Sequence, residues 1–174
     1  MVLFMILYVD DILLISNDVR LLSSIKIWLS TQVQMKNLGE AHHILGIKVF
    51  RDHKNRKLAL SQAISIDKLL VKYVMQDSKK GLLPFRHGIY LSQDQCPKIL
   101  EEKERMQLVP YAFVVDTLMY AMLCTRPDIC FEMGMVSRYQ SNPGPKHWTT
   151  VKHILKYLRR MRDYVFVLQS VEIV

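Results

Sequence analysis

Cysteine is scarce in this sequence, and the three present, Cys96, Cys124 and Cys130, are odd in number and widely spaced. A disulfide framework of the kind that staples small secreted domains is therefore excluded. There is no CxxC pair, and the six histidines do not stand at zinc-ligand intervals near the cysteines, which excludes a structural zinc site. The cysteines read as small core residues in a reducing, intracellular compartment, cytoplasmic or nuclear. Long apolar runs are also missing. Met1 to Val9 is almost wholly apolar, but no basic residues flank it as in a signal peptide, and Asp10-Asp11 interrupts it before it could span a bilayer. Two carboxylates in lipid would be costly, so no membrane partner is expected. Internal repeats and low-complexity tracts are absent too. Acidic residues are in deficit: 16 Asp and Glu stand against 24 Lys and Arg, a net charge of +8 with a pI near 9.4. That balance favours a polyanionic partner, nucleic acid or an anionic membrane surface, without choosing between them, and a solvated basic surface with no specific ligand is the plain alternative. With 50% hydrophobic and 23% charged residues, the chain has the material for a core, in one domain or pieces of two.

Two apolar runs, MVLFMILYV and ILLIS, meet at Asp10-Asp11. Each suits a strand buried on both faces, and together they predict a hairpin with the two aspartates at its turn. Asn17-Asp18 can cap a helix whose apolar positions Leu21, Leu22, Ile25, Trp28 and Leu29 recur at helical spacing. Ile44–Phe50 and Lys57–Ser61 are strand-like around a polar loop. Ile64–Met75 follows as a helix with Ile66, Leu69, Leu70 and Tyr73 on one face. From Lys79 to about Pro110 the signals weaken, as in an irregular excursion around one short helix. The final third is helical. One helix is expected over Tyr111–Cys124, a second from Pro127 to about Tyr139, and a third from His147 to about Arg160 after the Ser141-Asn142-Pro143-Gly144-Pro145 break.

Tyr8-Val9-Asp10-Asp11 is the feature that can carry chemistry. Adjacent aspartates repel, and apolar walls raise the cost of ionising both. Divalent cations relieve that repulsion, and carboxylate oxygens are the ligands magnesium prefers. Two-metal phosphoryl transfer needs acidic ligands that hold cations about 3.5–4 Å apart. An ordinary Asp-Asp hairpin turn is the plain alternative, since aspartate is a common turn residue.

Five segments taken in order, YVDDILLISND, MKNLGEAHHILGIKVFRD, LSQ before a helix, VPYAFVVDTLMYAMLCTRPDI and SRYQSNPGPKHWTTVKHILKYLR, resemble the Ty1/copia-type reverse transcriptases of plant retrotransposons. The resemblance covers nearly the whole chain. It implies that Tyr8-Val9-Asp10-Asp11 is the metal-binding hairpin of the polymerase palm, with Asp10 a direct magnesium ligand and Asp11 its supporting neighbour. Tyr8 and Val9 would lie under the primer terminus and the template base. The Ile44–Phe50 and Leu58–Ser61 strands resemble the pair at the palm–thumb junction that steadies the primer, though a plain edge hairpin reads almost as well.

The implied fold class is α+β. Residues 1–62 would be the C-terminal part of a palm built from β-hairpins plus a helix, 63–140 a mainly helical thumb-like region with the excursion at 79–110, and 141–174 a basic connector helix and strand leading toward ribonuclease H. A complete palm draws another aspartate from an upstream strand, and that ligand, the fingers and the ribonuclease H segments are not among these residues. The implied magnesium site is thus incomplete, and the expected reading is a fragment of an RNA-directed DNA polymerase that is inactive alone. A non-catalytic nucleic-acid-binding remnant and a decayed reading frame are the alternatives.

Asp116 stands where the family usually has glycine, and on a packed helix it would be costly, a sign of decay first and of a local surface role second. For primer and template the candidates are Lys48 and Arg51 near the second hairpin, and Lys152, Lys156, Arg159, Arg160 and Arg162 on the last helix. There they surround an apolar stripe of Trp148, Val151, Ile154, Leu155 and Leu158; a solvated basic face is the plain alternative for both groups. His147 and His153 read as structural or surface residues.

Overall fold

The computed structural model describes residues 2–169. Its contacts divide the chain into two compact units, Met1–His42 and His43–Val174. The architecture is α+β, with a two-stranded and a four-stranded antiparallel sheet and six α-helices among the described residues.

The first unit holds β1 (Leu3–Tyr8), β2 (Asp11–Ser16) and α1 (Val19–Gln32). The strands pair antiparallel from Leu3 opposite Ser16 to Tyr8 opposite Asp11, the expected hairpin. Helix α1 starts where its sequence says it should: the Asp18 carboxylate accepts from the Arg20 and Leu21 backbone N–H groups at 2.8 and 3.3 Å, satisfying donors that no helical carbonyl can reach. Burial of the strands on both faces, expected from their unbroken apolarity, does not occur. Among the described residues β1 and β2 pair only with each other, and Phe4, Met5, Ile6 and Leu7 are each half or more exposed. A two-stranded ribbon has no second layer to cover it.

In the second unit the strand expected at Ile44–Phe50 is two strands, β3 (His43–Ile44) and β4 (Ile47–Asp52), joined by Leu45 and Gly46. Both turn residues have positive φ, 51° and 78°, the type I′ geometry that matches strand twist. The Gly46 carbonyl accepts from Ser65 Oγ at 2.8 Å, and a Cβ on Gly46 would meet that same oxygen. Strand β5 (Lys57–Ser61) pairs with β4, and β6 (Phe166–Gln169) returns from the far end of the described chain to pair with β5. The order is β3-β4-β5-β6.

The helices α2 (Ala63–Lys72), α4 (Tyr111–Cys124), α5 (Cys130–Val136) and α6 (Pro145–Arg160) follow the apolar periodicity, and α3 (Leu100–Gln107) is the one short, charged helix of the excursion. Pro127 opens a short 3₁₀ turn before α5, and Pro145 sits in the first turn of α6, where a missing N–H costs nothing. The core is where three stripes meet: Ile66, Leu69 and Leu70 of α2, Val114, Val115 and Leu118 of α4, and Val151, Ile154, Leu155 and Leu158 of α6. The α4 and α6 residues named are fully buried. Asp116 does not face this core. One residue past Val115, the helix has turned by about 100°, and the Asp116 side chain is exposed and accepts from Gln140 Nε2 at 3.0 Å. The expected cost of a buried aspartate is therefore not incurred. Residues 170–174 of the expected last part lie outside the described residues. No single described helix is long and apolar enough to cross a membrane.

Candidate active-site hairpin and basic surface

Tyr8 closes β1 and Asp11 opens β2, directly opposite one another, so the centre of the turn is Val9-Asp10. The two aspartates are therefore not equivalent: Asp10 is at the tip, and Asp11 is the first rung of the ladder. Val9 has φ 50°, which a β-branched residue adopts at a cost of about 1–2 kcal/mol. Such strain persists where surrounding structure imposes it, and functional sites collect it. Tyr8, Val9, Asp10 and Asp11 are all exposed, Val9 to 78%. Neither carboxylate makes a hydrogen bond or ion pair among the described residues. Hard oxygen donors of this kind fit a divalent cation, but among the described residues no three acidic, histidine or cysteine side chains gather into a cation cage. The pair therefore fits as one side of a coordination shell rather than the whole of it.

The basic candidates separate by element. Lys48 is exposed on β4, its ammonium 4.6 Å from the centre of the Phe50 ring. Arg51 shares the opposite face of β4 with the buried Val49, because side chains alternate along a strand, so the two cations do not act together. On α6, Lys152, Lys156, Arg159 and Arg160 recur at i, i+4, i+7 and i+8 and share one face. The opposite face buries Val151, Ile154 and Leu158, and also His147 and Thr150, which the apolar stripe alone did not include. Arg162 lies past the helix end and is tied to Asp67 of α2 at 2.8 Å. That bond anchors α6 to α2 and leaves Arg162 less available to a phosphate.

Arg86, in the 79–110 excursion, escaped the sequence reading. Burial lowers the pKa of His153, and the charges of Arg86, Lys156 and Lys152 lower it further, so Arg86 stands among the α6 cations. The excursion is held there in part by the Gly81 N–H, which donates to the Lys156 carbonyl at 2.9 Å. His147 is wholly buried, stacked on Tyr139 with ring centres 4.0 Å apart, and its Nδ1 accepts from the Gly144 N–H at 2.8 Å. Burial lowers its pKa as well, which fits a neutral, structural imidazole.

A buried ion pair that the local sequence does not announce joins Arg126 and Asp128. The Arg126 side chain is 1% exposed, and its guanidinium grips Asp128 at 2.9 and 2.7 Å and donates to the Met161 carbonyl at 3.2 Å. Tyr157 Oη donates to Asp128 at 2.7 Å. Burial alone would raise the Asp128 pKa, but the hydrogen bonds from Arg126 and Tyr157 outweigh it and hold the carboxyl below its usual range. Here the TRPDI segment joins the start of α5 to the end of α6.

The family model described as reverse transcriptase (RNA-dependent DNA polymerase) matches residues 1–87, half of the chain, including the Asp10-Asp11 hairpin. The chain belongs to that family. The retrovirus-related Pol polyprotein from transposon TNT 1-94 of Nicotiana tabacum is 45% identical over 157 residues, which is 90% of this chain and 12% of the polyprotein. The Pol polyprotein from transposon RE2 of Arabidopsis thaliana is 30% identical over 97% of the chain and 11% of its own length. An uncharacterised mitochondrial protein of Arabidopsis thaliana is 30% identical over 90% of the chain and 61% of its own length. The sequence is thus a stretch of a Ty1/copia-type Pol reverse transcriptase, spanning about a tenth of the polyproteins it matches. No solved structure matches it.

Proposed function

We propose that this stretch is the C-terminal part of a reverse-transcriptase palm followed by a thumb-like region and connector, with parts at 1–62, 63–140 and 141–174. The parent reaction is addition of deoxynucleotides to a primer on an RNA or DNA template, in an intracellular setting. One observation carries the reading: Asp10 and Asp11, without a partner among the described residues, stand exposed at a strained turn that closes an apolar hairpin.

In this reading Asp10 at the tip and Asp11 beside it hold a divalent cation together with carboxylates and phosphates from outside these residues. When bound, that cation would offset the charge gathering on the reacting phosphate. Tyr8 and Val9 present a firm apolar surface to the primer terminus and template base, and the left-handed Val9 fixes the angle at which both aspartates leave the strands. Lys48, Arg51, Lys152, Lys156, Arg159 and Arg160, joined by Arg86, neutralise backbone phosphates without reading sequence. Arg162 contributes by holding α6 against α2.

Two carboxylates from a single turn cannot surround two cations. A polypeptide of these 174 residues with magnesium or manganese should therefore give no primer extension above background. Template-dependent extension by that polypeptide, lost on Asp10→Asn, would show that its site is complete and overturn this part of the proposal.

A further inference from the structure

The groove where the end of α2, the residues before α4 and the start of α6 converge adjoins the α6 cations of the proposed function, on which this inference rests, but its aromatic lining has no part in that reading. Its volume is about 680 Å³, within the range of about 300–1,000 Å³ usual for ligand sites. Tyr73, Phe113 and Trp148 line it with aromatic rings, Lys72 supplies a cation, and no acidic side chain is in its lining. Phe113 is 54% exposed, although the adjoining Val114 and Val115 of the same helix are fully buried. The Lys72 ammonium lies 3.9 Å from the centre of the Phe113 ring and 5.9 Å from that of Tyr73, and the Lys152 ammonium lies 5.9 Å from the Trp148 ring. Neither lysine has a carboxylate partner among the described residues. The acidic residues of the nearby α3 are engaged in part elsewhere: Glu101 pairs with Arg105 at 3.6 Å, and Glu102 accepts from the Lys98 N–H at 3.2 Å.

We propose that this groove is a binding site for single-stranded nucleic acid, taking one unpaired base against Phe113 and Trp148 while Lys72 and Lys152 hold the flanking phosphates. Aromatic faces beside unneutralised cations are the pairing that such strands use, because every base has a π-face and every link a charge. An apolar peptide would fill the rings and leave both cations unanswered. The Lys72 ammonium now over Phe113 is on a flexible stem and moves to phosphate when a base takes that face. Trp148, Lys152 and Lys156 form a stripe at i, i+4 and i+8 along α6, so the strand continues from the groove onto the basic helix. The site does not depend on Asp10 or Asp11.

The test uses the full chain and a labelled oligodeoxythymidylate about a dozen nucleotides long, read by fluorescence anisotropy, with an abasic strand and a duplex of equal length beside it. The thymidylate should bind about tenfold more tightly than the abasic strand, as the loss of a base–aromatic stack implies. Phe113→Ala should bring it down to the abasic level and leave the duplex unchanged. Equal affinity of the wild-type chain for thymidylate and abasic strands would overturn the proposal, and so would a Phe113→Ala loss shared by the duplex. Should Phe113→Ala fail to fold, the wild-type contrast still decides, as does quenching of Trp148 fluorescence by thymidylate in a Trp28→Phe background. Occupation of the groove by an acidic peptide that thymidylate cannot displace would assign it to a protein partner instead.

Discussion

Replacing Asp128 with asparagine leaves the Arg126 guanidinium in place but removes the charge that faces it. The arginine side chain is 1% exposed and the aspartate 29%. Two of the three hydrogen bonds that Asp128 accepts come from Arg126 and the third from Tyr157. Breaking a buried pair by removing one partner costs about 3–5 kcal/mol, because the other charge is left uncompensated. The part-exposure of Asp128 and the Met161 carbonyl on the guanidinium place the expected loss at the low end, about 3 kcal/mol. In a unit of this size that lowers Tm by about 10 °C, measurable by circular dichroism or urea unfolding. Tyr157→Phe, which removes one hydrogen bond, should cost about 1 kcal/mol. The acid limb provides a second check. The folded Asp128 carboxyl lies below its ordinary value of 3.8, so its contribution is whole above that pH and fades as pH falls through the lower folded value. Asp128→Asn should remove that part of the acid dependence. A loss under about 1 kcal/mol, with the acid limb unchanged, would refute a buried, mutually dependent pair.

Other outcomes follow from the same packing. Burial raises the pKa of Glu132, so ionisation opposes folding as pH rises past the ordinary carboxyl range, and Glu132→Gln should raise Tm at pH 7 but not at pH 4. A Cβ on the buried Gly144 would collide with the Gln95 carbonyl, so Gly144→Ala should cost about 1–3 kcal/mol and open the 79–110 excursion to limited proteolysis. Charge reversal at Arg159 and Arg160 should weaken duplex binding alike for all sequences and flatten its salt dependence. Reversal at Arg162 should instead lower Tm, since its partner is Asp67; base-specific binding that survives high salt would contradict this account.

Much of this fold could be read locally. The stripes of α2, α4 and α6, the Asp18 cap and the β1–β2 hairpin each depend on residues within a few positions of one another, although the turn is centred one residue earlier than the aspartate pair. The parts that escaped depend on distance. Nothing local tells Phe166–Gln169 to pair with β5, and nothing around Arg126 reveals that Met161 and Tyr157 come to meet it. Arg86 reads as an isolated charge in a segment without periodicity until the excursion brings it to α6. For Asp116 the preferred reading, decay, gave way to the surface role: its helix was placed correctly, but whether the residue at one position faces the core depends on which side the partners lie. The paired aspartates were legible because acidic residues between two apolar runs are a local feature, whereas any further ligands that a cation would need there are not encoded near them.

Whether Asp10 and Asp11 belong to a polymerase metal site is decided by joining these residues to the upstream half of a related Ty1/copia reverse transcriptase and measuring primer extension on a defined template. The fusion should show template-dependent extension with magnesium that is abolished by Asp10→Asn and unaffected by Asp116→Gly. Extension that survives Asp10→Asn in the fusion would contradict their place in such a site.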